Sequence, residues 1–243
     1  MSAPRAEATV TASTNDPATD PVTRESTGRR RVPTQARSRR RVEHLLDAAA
    51  GLVVERGVEA LTTRDIAEAA DVPVASLYQY FAAKEDVLLA IAGRDMAEMD
   101  AQVVADLAAV PVLTLEALVR TTMGAFVTVY HRRRAFVEIY LRGRTNLAVH
   151  QFGREHNARV AQMLRDVAIE QGLALPTLSP TVAMLAVEIG DRVFQLAFEH
   201  DDDGDVELIE EGITMVAAYL ARHTSGTRPA PRPAPRWERT REH

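Results

Sequence analysis

The chain has room between Leu61 and Lys84 for little except two short helices joined by a tight corner. Upstream, apolar residues recur at helical spacing and stop at Gly57, a residue type in which helices commonly end. They predict a supporting helix over residues 35–56 and are Leu45, Ala49, Leu52 and Val53. A supporting helix followed by two short helices predicts a helix-turn-helix.

The second helix is expected to begin near Thr63, because Thr62 and Asp65 have the spacing of a capping box. Its apolar side chains are small enough to let the next helix cross closely. The corner falls at residues 71–73, since the proline there is tolerated only in the first turn of a helix. The third helix is therefore predicted over residues 73–80.

The third helix has the composition of a recognition helix. Small side chains near its start and polar ones further on would let it enter the major groove of duplex DNA. Five residues are expected to face outward, namely Val74, Ala75, Ser76, Gln79 and Tyr80. The Gln79 amide matches the hydrogen-bonding edge of adenine, and Val74 and Ala75 can pack on thymine methyl groups. Tyr80 can reach a base or a phosphate.

Residues 37–89 resemble the DNA-binding domain of the tetracycline-repressor (TetR) family. The resemblance combines a threonine cap, an isoleucine-alanine pair, a leucine-tyrosine pair, an aromatic residue and a lysine at fixed intervals. These are Thr62-Thr63-Arg64-Asp65-Ile66-Ala67, Val72, Leu77-Tyr78-Gln79-Tyr80-Phe81 and Lys84. The family usually has glycine at the place of Asp71 and often at that of Ala75. The corner must therefore be made here by a residue that tolerates unusual backbone angles.

The resemblance implies that four residues hold DNA phosphates, namely Thr63, Arg64, Tyr78 and Lys84. Contacts of this kind position a protein on DNA rather than specify its sequence. Lys84 is the only lysine of the chain, so its presence at the family's lysine position is not explained by composition. Tyr78 has an alternative interpretation as a core aromatic residue.

A cluster of arginines offsets the formal net charge of −5, because charge acts where it lies. Seven arginines, Arg37 among them, fall between Arg29 and Arg41, ahead of the supporting helix. The resemblance implies an N-terminal arm there that contacts the DNA backbone or the minor groove. The alternative is a solvated tail.

The composition excludes several kinds of chemistry. Without cysteine there are no disulfides, no thiolate catalysis and no zinc–thiolate sites. The sequence has no nucleophile motif and no glycine-rich phosphate loop, and the spacing of His150 and His156 turns them to different helix faces. We therefore expect no enzymatic activity, no cofactor and no metal site. The start of the chain does not resemble a signal peptide and no apolar window approaches ~20 residues, which predicts a cytoplasmic protein without membrane contact.

Segments of helical periodicity follow one another without strand-like alternation, so the fold is predicted to be all-α. A disordered tail at residues 1–28 precedes a basic arm plus helix-turn-helix DNA-binding domain at 29–84. A helical effector-binding and dimerisation domain at 85–223 precedes a disordered Pro/Arg-rich tail at 224–243. After a linker helix from near Lys84, helices are predicted at residues 113–131, 134–141, 149–172, 179–199 and 206–223. The acidic run at residues 201–205 is predicted to be a turn, with Asp205 capping the last helix.

The last two helices carry broad apolar faces. Their apolar residues are Val182, Leu185, Ala186, Ile189, Val193 and Leu196, then Leu208, Ile209, Ile213, Val216 and Leu220. The resemblance implies that this pair forms a four-helix bundle with its two-fold mate. A homodimer would bind a palindromic operator, because its recognition helices meet two half-sites on one face of the DNA. The alternative is that the two helices complete a monomeric core.

The middle helices carry methionine and aromatic residues at helical spacing. The resemblance implies an effector cavity among them for a moderately apolar small molecule. The candidate ligand-binding residues are Met123, Phe126, Tyr130, Tyr140, Phe152, Met163, Glu188 and Arg192, and Phe136 and Phe194 lie among them. Alternatively the apolar residues are plain core, and Glu188 with Arg192 is an ordinary ion pair along one helix.

These features predict a homodimeric repressor that binds a double-stranded DNA operator and is released by an unknown small molecule. The alternative keeps the DNA-binding domain and has a protein partner control the helical domain instead.

Overall fold

The computed structural model describes residues 31–143 and 146–224, with side chains from residue 36 onward. These residues are helical and contain no strand, which confirms the all-α prediction. The α-helices are α1 (Arg31–Arg56), α2 (Thr63–Ala69), α3 (Val74–Tyr78), α4 (Lys84–Ala108), α5 (Leu115–Arg132), α6 (Arg134–Phe136), α7 (Leu147–Glu170), α8 (Pro180–Ala197) and α9 (Val206–Thr224). A π-helical turn, Val137–Leu141, follows α6.

Both predicted tails lie outside the described residues, except Thr224, which ends α9. Residues 39–243 make up one compact unit and residues 1–38 another, and the described part of the latter is the helical start of α1.

The first helix begins at Arg31, four residues before the predicted start. Pro33 falls in its first turn, where no backbone N–H is needed, and arginine favours helix. The expectation that the arginine cluster precedes the supporting helix was therefore wrong from Arg31 onward. Arg37 lies on α1 and is exposed, whereas Arg29 and Arg30 lie outside the described residues.

The ends of α2 follow from local hydrogen bonds. Thr62 Oγ1 accepts a hydrogen bond from the Asp65 N–H at 3.2 Å and donates one to Asp65 Oδ2 at 2.5 Å. At the other end Asp71 has φ +50°, and the N–H groups of Asp71 and Val72 donate to Glu68 O and Ala67 O. This is a Schellman motif with aspartate where glycine is usual, so Asp71 makes the corner as expected.

The helices from α4 onward form a bundle. In it, α4 packs on α5 and α7, α7 packs on α8, and α9 packs on both α5 and α8. The predicted helices at 113–131, 149–172, 179–199 and 206–223 correspond to α5, α7, α8 and α9 within two residues at each end. The axes of α8 and α9 approach closely at Gly212, where an added Cβ would lie 2.5 Å from Val193 Cγ1. Asp205 Oδ1 accepts a hydrogen bond from the Leu208 N–H at 3.1 Å, which confirms the predicted cap of α9.

The segment predicted as one helix at 134–141 is a single α-turn followed by the π turn, in which Arg142 N–H donates to Val137 O at 2.9 Å. The Tyr140 ring at the end of this turn lies directly on Gly153 of α7. An added Cβ at Gly153 would fall 2.2 Å from Tyr140 Cε2. The bare backbone of Gly153 therefore lets the tyrosine ring enter the bundle between α7 and α8.

Candidate nucleic-acid interface and ligand cavity

The start of the recognition helix α3 is open to solvent. Val74, Ala75 and Gln79 are exposed, as expected for residues that would read bases. Ser76 is half-buried, and Tyr80 is half-buried and packs on the hydrophobic core. Tyr80 lies in the turn after α3, which ends at Tyr78, so only part of its side chain faces solvent.

Two residues expected to hold phosphates meet between α2 and α3. Thr63 Oγ1 and the Tyr78 hydroxyl lie 3.1 Å apart, at hydrogen-bond distance. The Tyr78 side chain is 53% exposed, which rules out the alternative of a core aromatic residue. Arg64, next to Thr63, is exposed as well. The three polar groups thus lie on the same exposed corner of the helix-turn-helix.

Lys84 is the first residue of α4 and is half-buried. Its Nζ lies 3.4 Å from Val58 O and 3.5 Å from Glu59 O, in the loop that follows α1. Both distances are long for a charged hydrogen bond, so the ammonium group keeps donor capacity for an anion.

A largely apolar cavity lies between α5, α7, α8 and α9. Its volume is about 80 Å³, and it is partly open to solvent. Helix α5 contributes Leu115, Leu118, Val119, Thr122, Met123 and Phe126. The facing side of α7 contributes Asn157, Val160, Ala161, Leu164, Arg165 and Ala168. The nearly apolar lining favours an apolar ligand.

The cavity is elongated along the bundle. At one end Phe126 stacks on His156 and Phe194, with ring centroids 6.4 and 6.0 Å apart. At the other end Leu118 clusters with Ala168 and Leu178. The α5 stretch that lines the cavity, Leu115 to Phe126, is about 16 Å long at the rise of an α-helix. We call the part of the cavity around Thr122 and Phe126 the deep end and the Leu118 end the mouth.

The deep end holds the polar groups Asn157 and Asp191. Asn157 Nδ2 donates to Glu188 Oε1 at 3.3 Å, and Gln195 Nε2 donates to Asp191 Oδ2 at 2.8 Å. Burial raises the pKa of Asp191 to about 6, against the opposing effect of hydrogen bonds from Tyr140, Gln195 and Asn157. The nearby carboxylate of Glu188 raises this pKa further.

Thr122 adds a polar group that has no partner. The residue is 7% exposed, and its buried Oγ1 makes no hydrogen bond. Sequence reasoning missed Thr122, Asn157 and Asp191. A weak signal was available, because each is a polar residue at a position where the apolar periodicity of its helix predicts an inward-facing side chain.

Of the predicted ligand-binding residues, Met123 and Phe126 line the cavity, as does Phe194. Tyr130 lies behind them and packs on Phe136, Phe194 and Phe198. Tyr140 hydrogen-bonds Asp191 from outside the lining. Phe152 packs on Gly93 and Arg159 instead, and Met163 packs on the core without lining the cavity.

Glu188 and Arg192 do not form the ion pair expected from their spacing. Glu188 accepts the hydrogen bond from Asn157, whereas the exposed Arg192 donates to Gln195 Oε1 at 2.9 Å. Neither residue lines the cavity between α5, α7, α8 and α9. The spacing was correct for a pair, but a buried amide on α7 competes for Glu188.

Two polar contacts connect the linker helix α4 to its neighbours. On the cavity side, His156 Nε2 lies 2.8 Å from Asp100 Oδ1. On the side of the helix-turn-helix, Arg94 donates to Asp47 Oδ1 of α1 at 2.8 Å and to Asp95 Oδ1 at 3.0 Å. Helix α4 therefore contacts both the supporting helix and the aromatic wall of the cavity.

Comparison with known proteins agrees with this geometry. Residues 45–91 match the family model described as bacterial regulatory proteins, tetR family, and residues 114–220 match a tetracyclin repressor-like C-terminal domain. The chain belongs to the TetR family. A TetR-family transcriptional regulator from Streptomyces coelicolor has a similar structure, with TM-score 0.59 and 28% identity over 75% of this chain and 98% of that one.

Named relatives of this TetR-family chain include the transcriptional repressor KstR2 of Rhodococcus jostii, 51% identical over 55 residues. That match covers 23% of this chain and 26% of the relative. KstR2 of Mycolicibacterium smegmatis is 37% identical over 112 residues, or 45% of this chain and 51% of the relative. The matched parts therefore span about a quarter to a half of these repressors. No helix in residues 31–143 or 146–224 is both long and apolar enough to cross a membrane.

Proposed function

We propose that this TetR-family protein is a sequence-specific transcriptional repressor that binds a palindromic operator as a homodimer and is released from it by a small-molecule effector. The observation that carries the proposal is the presence, in one chain, of an exposed recognition helix and a largely apolar cavity that is lined by α5 and α7, which pack on α4. The relatives are named as repressors, which supports repression rather than activation.

The DNA-binding residues proposed are those of the exposed corner together with α3. Thr63, Arg64, Tyr78 and Lys84 would hold phosphates, and Arg37 would add a phosphate contact from α1. Val74, Ala75, Ser76 and Gln79 would contact base edges. Tyr80 would contact a base or a phosphate through the exposed part of its side chain.

The proposed dimer rests on an apolar surface of α8 and α9. The inner side chains Val193, Ile213 and Val216 are buried within the chain, as a monomeric core requires. Other apolar side chains of the same helices are about two-fifths to one-half exposed. These are Leu185, Leu196, Leu208 and Met215. Exposed apolar side chains on an adjacent helix pair favour a subunit interface over a solvated surface.

Control by a small-molecule effector is favoured over control by a protein partner. Such a partner would leave a filled core beneath an exposed apolar patch. Instead, a cavity of about 80 Å³ with an apolar lining lies between α5, α7, α8 and α9. An effector that binds better to a conformation with misplaced recognition helices would lower operator affinity by population shift.

Selection of duplexes from a random library by the purified full-length protein, at stated salt, tests DNA recognition. We expect a palindromic motif, which then serves as the operator in a screen for compounds that release the protein. Binding without any motif, fading smoothly as salt rises, would contradict sequence-specific recognition. If a motif is found but no compound releases the protein, the effector part of the proposal fails.

The dimer is tested by the mass of the protein in solution. Met215→Glu places a charge on the proposed interface and should give monomers with little operator affinity. Val112→Glu is the matched control, because Val112 is 75% exposed but lies between α4 and α5. Equal masses for the two variants would place the interface elsewhere.

A further inference from the structure

The deep end of the cavity has a polar group that the protein leaves unsatisfied. Thr122 Oγ1 is buried without a hydrogen-bond partner, in a residue that lines the cavity. A buried hydroxyl without a partner is unfavourable, and native proteins rarely retain one. A ligand that reaches this end could supply the missing hydrogen bond.

The charges around the deep end are negative. Asp191 lines it, and Glu188 stands close enough to raise the pKa of Asp191. Burial raises the pKa of the Tyr140 hydroxyl, so this group stays protonated and donates to Asp191. The nearest histidine, His156, is held by Asp100. Among the described residues that line the deep end, Asp191 supplies hydrogen-bond acceptors and no side chain is cationic.

The basic side chain of the lining lies toward the mouth. Of the described lining residues Arg165 alone is basic, and its neighbour along the inner face of α7 is Ala168 of the mouth cluster. Its Nε donates to Leu178 O at 2.8 Å and its Nη2 to Pro176 O at 3.2 Å. Arg165 is therefore committed to the loop before α8 and does not neutralise the deep end.

We infer that the effector is an elongated apolar molecule carrying a hydrogen-bond donor, a hydroxyl or an amine, that binds at Thr122 and Asp191. The inference rests on the proposed effector role of the cavity. An alcohol or amine would donate to these acceptors while its apolar body packs on the apolar lining toward the mouth. A carboxylate in the same place would lose its hydration beside Asp191 and Glu188 with no cation to replace it.

The test compares three probes that share one alkyl chain and differ in the end group: decanol, decylamine and decanoate. Their binding to the full-length protein is measured by calorimetry at neutral pH, below the concentrations at which they aggregate. We expect decanol and decylamine to bind roughly tenfold or more tightly than decanoate. The alcohol or amine gains a hydrogen bond at the deep end, whereas the carboxylate is repelled by Asp191.

Two variants distinguish the hydroxyl from the amine. Thr122→Val keeps the shape of the side chain, removes its oxygen and should weaken decanol binding roughly fivefold. Asp191→Asn removes the charge and should weaken decylamine more than decanol. Thr121→Val is the matched control, because Thr121 precedes Thr122 on α5 and does not line the cavity. Since Thr122→Val removes an unsatisfied group, it should leave the unliganded protein at least as stable, which separates lost binding from lost folding.

Decanoate binding as tight as that of the other two probes would overturn the inference, as would the absence of binding by both decanol and decylamine. Decanol binding unchanged in Thr122→Val, together with decylamine binding unchanged in Asp191→Asn, would also overturn it. Release of the operator by decanoate would overturn the inference while supporting the proposed function. The proposed function instead fails if no compound of any class releases the operator.

Discussion

His156 on α7 and Asp100 on α4 lie 2.8 Å apart, measured from Nε2 to Oδ1. His156 is buried and stacks on Phe126, which lines the deep end of the cavity. Asp100 lies five residues along α4 from Asp95, which contacts Arg94 at the side of the supporting helix. A ligand that moves Phe126 would therefore move a side chain that is hydrogen-bonded to the linker helix.

Asp100→Ala is expected to weaken this communication. The variant should bind operator and effector much as the original protein does, because Asp100 neither lines the cavity nor lies in the helix-turn-helix. Loss of one hydrogen bond of about 1 kcal/mol should lower the effector-induced change in operator affinity roughly fivefold. Operator titrations with and without a releasing compound measure this ratio.

Asp106→Ala is the matched control for Asp100→Ala. Asp106 also lies on α4, but it accepts a hydrogen bond from Gln102 of the same helix and not from α7. An equal loss of response in both variants would show that α4 transmits the signal without the contact to His156.

Arg94, which joins α4 to α1, should contribute to stability because one of the carboxylates that it contacts is buried. Asp95 is 1% exposed, and burial raises its pKa although Arg94 acts to lower it. Arg94→Ala would leave Asp95 with Arg133, whose Nε is 3.6 Å away. We expect this variant to lose about 3 kcal/mol of unfolding free energy, measured by urea denaturation.

Arg120→Ala tests whether burial of the partner carboxylate explains the expected stability loss of Arg94→Ala. Arg120 pairs with Glu210 at 2.8 Å, but both side chains are about half exposed. Exposed pairs contribute at most about 1 kcal/mol, so Arg120→Ala should change stability little. Similar losses from Arg94→Ala and Arg120→Ala would contradict the argument from burial.

Asp191 should make the stability of the protein depend on pH. Its pKa rises from 3.8 to about 6 on folding, chiefly because burial disfavours the charged carboxylate. Between these values the folded state holds a proton that the unfolded state has lost. The contribution of Asp191 to stability is therefore fully present below 3.8 and decreases as pH rises toward 6.

Comparison of the protein with Asp191→Asn isolates this effect. The difference in unfolding free energy between the two should change across this pH range and stay constant above it. Groups other than Asp191 titrate in both proteins and cancel in the difference. A constant difference at all pH values would mean that Asp191 ionises with an ordinary pKa in the folded protein.

The parts of the structure that were predictable from the sequence depend on neighbours along the chain. Thr62 and Asp65 cap α2, and Asp205 caps α9, because each cap closes over three residues. The deep end of the cavity was not predictable. Thr122 and Asp191 line the same cavity only through the packing of different helices. Periodicity shows which side chains face inward but not where the core stays unfilled.

Long-range competition also explains the predictions that failed. Glu188 and Arg192 have the spacing of a helical ion pair, yet Asn157 from α7 takes the Glu188 carboxylate. Tyr140 reaches Asp191 because Gly153, thirteen residues further along the chain, leaves space for its ring. Neither relationship has a local signature in the sequence.

The corner of the helix-turn-helix gives a prediction about backbone strain. Asp71 is the only residue other than glycine with positive φ among the described residues, at +50°. The left-handed region costs about 1–2 kcal/mol for residues with a Cβ, and aspartate tolerates it better than branched residues do. Asp71→Val should therefore lower the free energy of unfolding by about 1–2 kcal/mol and weaken operator binding, because α3 follows the corner directly.

Asp71→Gly should fold with equal or slightly greater stability, since glycine adopts this conformation freely and Asp71 is exposed. Urea denaturation of the two variants measures the difference, and equal destabilisation by both would show that the carboxylate of Asp71, not its backbone angle, holds the corner.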